Sequence, residues 1–349
     1  MMRCIFSFIL FIFFSTPVFS EGLFDSDEIL DLTLSGDIRS LFNDRADEPS
    51  YYPMEMTYVG GDGRTVSIPL KAKTRGNFRR MKSNCLYPPV LLNFAKSKTP
   101  ENSIFFGQDK LKLVTPCRDQ EYVINEYLVY KLYNLVTEKS FRVRLARVVY
   151  ADTGREKDTE PMYGIILEDE DQMARRNNAE IIKRNEIRPN KTEPDHFLKM
   201  AVFEYMIGNT DWSVQYRHNV KLIAGEDKKI LITVPYDFDH AGIVRTPYAK
   251  PAPELRLSSV RERRYRGYCV EDVSAFEPVF ALFRELKDDF YRIYTGCPLL
   301  DEKYARQTLN FLDEFYETIN DPKAAEKDFM YPCDERGTGN VVIQGLRGE

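Results

Sequence analysis

Short alternating runs separated by turn residues fill the first half of the chain, and helical periodicity fills the second. Met54 to Val59 alternates apolar and polar positions, Gly60-Gly61-Asp62-Gly63 is a turn, and Thr65 to Thr74 alternates again, which predicts a hairpin. Val90 to Phe94, Lys110 to Val114, Val143 to Tyr150 and Met162 to Leu167 read as further strands. Gln120 to Leu135 is the exception, with Tyr122, Val123, Tyr127, Tyr130 and Leu135 at helical spacing. Residues 21–50 are polar, acidic and turn-rich, and read as an arm leading into the fold.

The second half opens with a charged stretch, residues 171–195, expected as a surface excursion open to proteolysis near Arg175 to Lys191. Pro194-Asp195 starts a helix through Phe197, Met200, Phe203 and Met206 that Gly208-Asn209 ends. Val220 to Ile223 and Ile230 to Val234 form a strand pair around Gly225-Glu226-Asp227. Ala275 to Ile293 and Leu300 to Ile319 are helical by period. The fold class is α+β, with a sheet-rich part over 51–170 and a helix-rich part over 171–349. The sheet-rich part has too few helices to cover both its faces, so the two parts are expected to lean on one another as one compact unit.

Composition narrows the classes. Of 349 residues 43% are apolar and 13% aromatic, which is enough to bury a core and excludes a disordered scaffold. The formal charge of −5 lacks the basic field of a non-specific nucleic-acid binder. Only His196, His218 and His240 are available as imidazole ligands, which argues against a multi-His metal cage.

Residues 1–20 carry Arg3, an apolar run from Ile5 to Phe14, and Val18-Phe19-Ser20 ahead of Glu21, the pattern of a cleaved secretory signal, with an uncleaved N-terminal anchor as the alternative. No later run is long and apolar enough for a stable membrane span. The expected location is secreted, or periplasmic at the cell envelope. Cys85, Cys117, Cys269, Cys297 and Cys333 then meet an oxidising compartment. Cys85 and Cys117, both near strand ends, are the expected pair.

Chemistry concentrates in two segments. Asp211 follows a helix end in Gly208-Asn209-Thr210-Asp211, Asn219 begins one strand of the late pair, and Asp237 ends its partner in Asp237-Phe238-Asp239. A carboxylate and an amide oxygen at one end of a ribbon are hard ligands, suited to Mg²⁺ or Mn²⁺ bridging phosphates. A second carboxylate nearby can orient a hydroxyl nucleophile, the division of labour that phosphoryl transfer requires. The other segment, Lys71 to Arg80, ends a strand in Arg75-Gly76-Asn77 and offers backbone N–H groups and cations to an anion.

Together, Arg75-Gly76-Asn77, a Lys-bearing strand ahead of a helix near Asp119, Gly208-Asn209-Thr210-Asp211, Asn219 and Asp237-Phe238-Asp239 resemble the spore-coat CotH kinase family. The likeness spans Lys71 to Gly242. It implies an atypical protein-kinase-like two-lobed fold, with a sheet-rich N-lobe and a helix-rich C-lobe. By that likeness Asp211 is the catalytic aspartate, and Asp237 and Asn219 hold the metal. Arg75, Gly76 and Asn77 lie over the nucleotide phosphates, and Lys112 pairs with Glu126 beside them. The implied cofactors are ATP with Mg²⁺ or Mn²⁺, and the implied partners are a nucleotide and a protein acceptor, with no nucleic acid.

The chain also departs from ordinary kinases. It has no G-x-G-x-x-G, V-A-I-K or H-R-D, and Asp211 and Asn219 are eight positions apart rather than five. Lys110 and Lys73 compete with Lys112 for the nucleotide role. The alternative function is a non-catalytic, kinase-shaped binding or surface-structural protein. A carboxylate-based glycosidase using Asp211 and Asp237 is a third reading.

Overall fold

The computed structural model describes residues 22–154 and 158–330. The expected signal segment 1–20 lies outside them, as does Cys333.

The sheet-rich part is a closed barrel, a feature that the alternating runs did not disclose. Its strands are β1 (Leu30–Gly36), β2 (Tyr52–Val59), β3 (Thr65–Thr74), β4 (Val90–Phe94), β5 (Lys110–Val114), β6 (Val143–Asp152) and β7 (Met162–Leu167). They pair in the order β1-β2-β3-β4-β5-β7-β6, and a parallel β1–β6 ladder closes the ring. Residues 21–50, expected as an arm, thus supply the closing strand, followed by the short helix α1 (Ile38–Asn43). Leu30, Leu32 and Leu34 alternate inward and meet Met54, Met56 and Tyr58 in the barrel core. Period-2 patterning is what permits this, because every second side chain of each strand faces the interior.

The wall of β6 and β7 is buried on both faces. Ala146, Val148 and Ile166 belong to the barrel core, whereas Val143, Leu145, Ile165 and Leu167 belong to a second core shared with the helical part. Helix α2 (Glu121–Val136) lies in that second core, with Val123, Leu128, Leu132 and Val136 buried. Eleven of its sixteen residues are buried, so α2 is a core helix, not a surface one.

Residues 171–195 are not a bare excursion. They contain α3 (Glu170–Arg176), capped by Asp169, and β8 (Glu180–Ile181), which pairs with β9 (Val220–Ala224). β9 pairs in turn with β10 (Ile232–Pro235), giving a small second sheet. The helix α4 (Pro194–Met206) runs beneath it, capped by Glu193 and buried along most of its length. The predicted single helix over 275–293 is two, α5 (Glu277–Glu285) and α6 (Lys287–Thr295), divided at Leu286. Asp288 and Asp289 in the first turn of α6 favour a fresh N-terminus there. Helices α7 (Glu302–Asn320) and α8 (Pro322–Met330) complete the helical part. None of the described helices is long and apolar enough to cross a membrane.

The Cys85–Cys117 disulfide is present, tying the loop after β3 to the segment after β5. Cys269 is also disulfide-bonded, and Cys297 is a free thiol.

Candidate functional site

A cleft of about 510 Å³ opens between the barrel and the small sheet, within the usual size range of small-molecule sites. Arg75, Gly76, Asn77, Lys112, Asp211, Asn219 and Asp237 all line it. Glu126 does not line it. It lies behind the cleft wall on α2, 1% exposed.

Asp211 is placed by the end of α4. Gly208 takes φ +68°, a left-handed conformation that glycine adopts without strain, and turns the chain out of the helix. Asn209 Oδ1 then accepts the Asp211 backbone N–H at 3.0 Å. The long spacing to Asn219 is resolved by a local bridge. Ser213 and His218 exchange two backbone hydrogen bonds of 2.9 Å, which pinch residues 214–217 into a turn. Asp211 and Asn219 therefore meet directly: Asn219 Nδ2 donates to the Asp211 carbonyl at 2.8 Å and to its Oδ2 at 3.2 Å. The amide oxygen of Asn219 is left facing away from that contact.

Asp237 follows β10. Its backbone N–H donates to the Tyr130 hydroxyl of α2 at 2.8 Å, and the Tyr236 N–H donates to the Asn219 carbonyl at 3.0 Å. Asn219 and Asp237 adopt φ of +51° and +63°. Left-handed backbone at non-glycine residues costs energy, and it recurs where side chains must be aimed into a site.

Two histidines flank Asp211. His218 Nε2 is 3.2 Å from Oδ1, and His240 Nδ1 is 3.9 Å from Oδ2. Burial works to raise the Asp211 carboxyl, but the hydrogen bond with His218 and the charges of His240 and Arg266 outweigh it and hold it below its ordinary value. Arg266 also donates to the carbonyls of Thr210 and Trp212, at 2.6 and 3.0 Å, gripping the loop on either side of Asp211.

Glu126 does not find Lys112. Its cation is Arg79, from the loop after β3, whose Nη1 is 3.5 Å from Glu126 and 3.7 Å from Asp239. Burial pushes the Glu126 carboxyl well up, opposed by Arg79. Lys112 instead places its ammonium 5.0 Å from the Tyr236 ring centroid. Burial, then the charges of Arg75 and Lys221, depress Lys112 to about 7. Lys73 stacks on Tyr51 at 4.8 Å, and neither it nor Lys110 lines the cleft. Among the three lysines left open by the sequence, Lys112 is the one in the site.

Arg79, His218, Lys221, Tyr236, Asp239 and His240 also line the cleft without having been assigned a role. Lys221 was legible in principle, because on its strand it alternates with the apolar Val220 and Leu222 and so faces away from the core. Arg79 was not, since its partners Glu126, Asp239 and the Thr115 carbonyl all lie far from it in sequence.

The donors present suit a hard divalent cation. Asp237 and Asn219 supply a carboxylate and an amide oxygen, and no group of three His, Cys, Asp or Glu side chains fit to hold a metal occurs among the described residues. Such a cation would draw its other ligands from phosphate oxygens and water, as Mg²⁺ commonly does.

No protein-family model matches the chain, and no curated protein matches it. Among solved structures it is similar to that of the Helicobacter pylori proinflammatory kinase CtkA, at 12% sequence identity and a TM-score of 0.42, over 73% of this chain and 94% of that one.

Proposed function

We propose that the chain is an exported atypical kinase of CotH-like type, two-lobed, which transfers the γ-phosphoryl group of ATP to a protein Ser/Thr or another hydroxyl. The observation that carries this reading is the meeting of Asp211, Asn219 and Asp237 in one cleft with Arg75 and Lys112. Asp237 and Asn219 would hold Mg²⁺ or Mn²⁺, whose chemistry when bound is to neutralise phosphate charge. Arg75 and Lys112 bind phosphate oxygens, and the turn at Gly76, with φ +82° and open space around it, lets backbone approach them. Asp211 orients the acceptor hydroxyl and takes its proton. Two disulfide-bonded positions, at Cys85–Cys117 and at Cys269, support export to an oxidising compartment.

The test is transfer itself. Purified protein incubated with γ-labelled ATP and Mg²⁺ or Mn²⁺ should label itself or a generic protein acceptor, and an Asp211→Asn control should not. Absence of both labelling and ADP release with either metal would sink the kinase reading. A second reading, a kinase-shaped binding protein without catalysis, is favoured by one feature: Glu126 is engaged by Arg79 rather than by Lys112. Nucleotide binding without turnover is the result that would select it.

A further inference from the structure

Lys221 has no place in the roles above, yet it stands in the cleft. Its neighbours in β9, Val220 and Leu222, are fully buried apolar residues. Alternation along the strand turns Lys221 to the opposite side, away from that core and into the cleft. Its ammonium lies 4.9 Å from the Tyr236 ring centroid, and that of Lys112 lies 5.0 Å from the same centroid. Two ammonium groups thus share one aromatic ring, with Arg75 beside them in the lining. Glu170 compensates one of them, at 3.0 Å from Lys221. Lys112 has no carboxylate within ion-pair distance among the described residues.

Gathering like charges in a partly buried cleft costs free energy, and a cation–π contact of about 0.5–2 kcal/mol offsets only part of it. An anion between them removes the cost. The rest of the cleft has the complementary chemistry, with Asp211, Asn219 and Asp237 offering oxygens suited to a cation. A phosphate chain carrying a divalent cation matches both halves: phosphates toward the ammonium groups, the cation toward the carboxylates.

Resting on the nucleotide reading above, we propose that Lys221 is a third phosphate-binding cation, and that Arg75, Lys112 and Lys221 together take the oligophosphate chain of a nucleoside triphosphate. Glu170 is then a positioning residue, which holds the Lys221 ammonium over Tyr236 until the anion arrives. The ligand class is recognised first through its phosphates, and inorganic triphosphate alone should occupy the site.

Calorimetry on the full chain with inorganic triphosphate and Mg²⁺ tests this. Wild type should bind, Lys221→Met should weaken binding about tenfold or more, and Lys221→Arg should restore most of it. Lys73→Met removes the same charge away from the cleft and should leave binding unchanged. Melting curves show whether each variant is folded, and Lys221→Gln serves if the Met variant is not. Binding of triphosphate that is equal in wild type and folded Lys221 variants, or absent in wild type at millimolar concentration, overturns the proposal. The kinase reading is scored separately by transfer from ATP. Triphosphate binding that depends on Lys221 without any transfer would leave this subsite standing and remove the kinase.

Discussion

Arg79 and Glu126 face each other at 3.5 Å, with side chains 11% and 2% exposed, although one comes from a loop of the barrel and the other from the helix behind it. The same guanidinium reaches Asp239 at 3.7 Å and donates to the Thr115 carbonyl at 2.5 Å. Tyr248 donates to Asp239 at 2.8 Å. One cation therefore joins the loop after β3, α2 and the segment that follows Asp237.

Removing that cation leaves two carboxylates facing each other out of water. Arg79→Met should destabilise the fold by about 3–5 kcal/mol, the usual cost of breaking a buried pair from one side. Adding Glu126→Gln should recover a large part of the loss, because the neutral amide needs no counter-charge. Urea unfolding of the two single variants and the double variant measures the coupling. Additive losses would mean that the two residues act independently.

The two aspartates should separate binding from turnover. Asp237→Ala is expected to abolish Mg²⁺-dependent nucleotide binding, since the site loses its strongest hard ligand. Asp211→Ala should leave that binding nearly intact and lower transfer about 10²–10⁴-fold, the usual range for a positioned acid or base. Calorimetry and single-turnover transfer are the paired measurements. Equal loss of binding in both variants would contradict this division of roles.

The Cys85–Cys117 bridge should matter to the loop that it anchors. Its 32-residue separation corresponds to about 3–4 kcal/mol by the loop-entropy account. The β3–β4 loop that it anchors at Cys85 carries Arg75 to Arg80, and Leu86 and Cys117 are joined by a backbone hydrogen bond of 2.9 Å. Replacing both cysteines with serine should lower the melting temperature and weaken nucleotide affinity. A variant with the lower melting temperature but unchanged affinity would restrict the bridge to a purely structural role.

Strand and helix positions were largely legible because their patterning is local. β4, β5 and β7 match the alternating runs to the residue, and α4 matches its capping signals. β1 carried the same signal in Leu30, Leu32 and Leu34, but its acidic, turn-rich flanks obscured it. The barrel could not be read locally at all, since its closing partner β6 begins more than a hundred residues later. Candidate site residues were legible where chemistry and spacing coincide, as at Asp211 and Asp237. The partner of Glu126 was not, because a lysine on the preceding strand is the nearer guess in sequence and an arginine on a loop is the nearer group in space.

His196 gives the fold an acid sensitivity away from the cleft. It sits in the first turn of α4, 7% exposed, with Nε2 3.4 Å from the Thr137 hydroxyl. Burial first, and then the charges of Lys139 and Lys199, lower it from 6.5 to about 4. Between those values the unfolded chain binds a proton that the folded chain does not, so stability rises with pH across the window and falls as the solution is acidified. The difference is worth about 3 kcal/mol when complete. Wild type should therefore lose stability from about pH 6.5 down to about pH 4 faster than His196→Gln, which has no proton to take up. Chemical denaturation of both proteins at pH 7 and pH 5 isolates this contribution, because the carboxylates titrate alike in each. A wild-type-to-variant difference that stays constant between the two pH values would show that His196 titrates alike in the folded and unfolded chains.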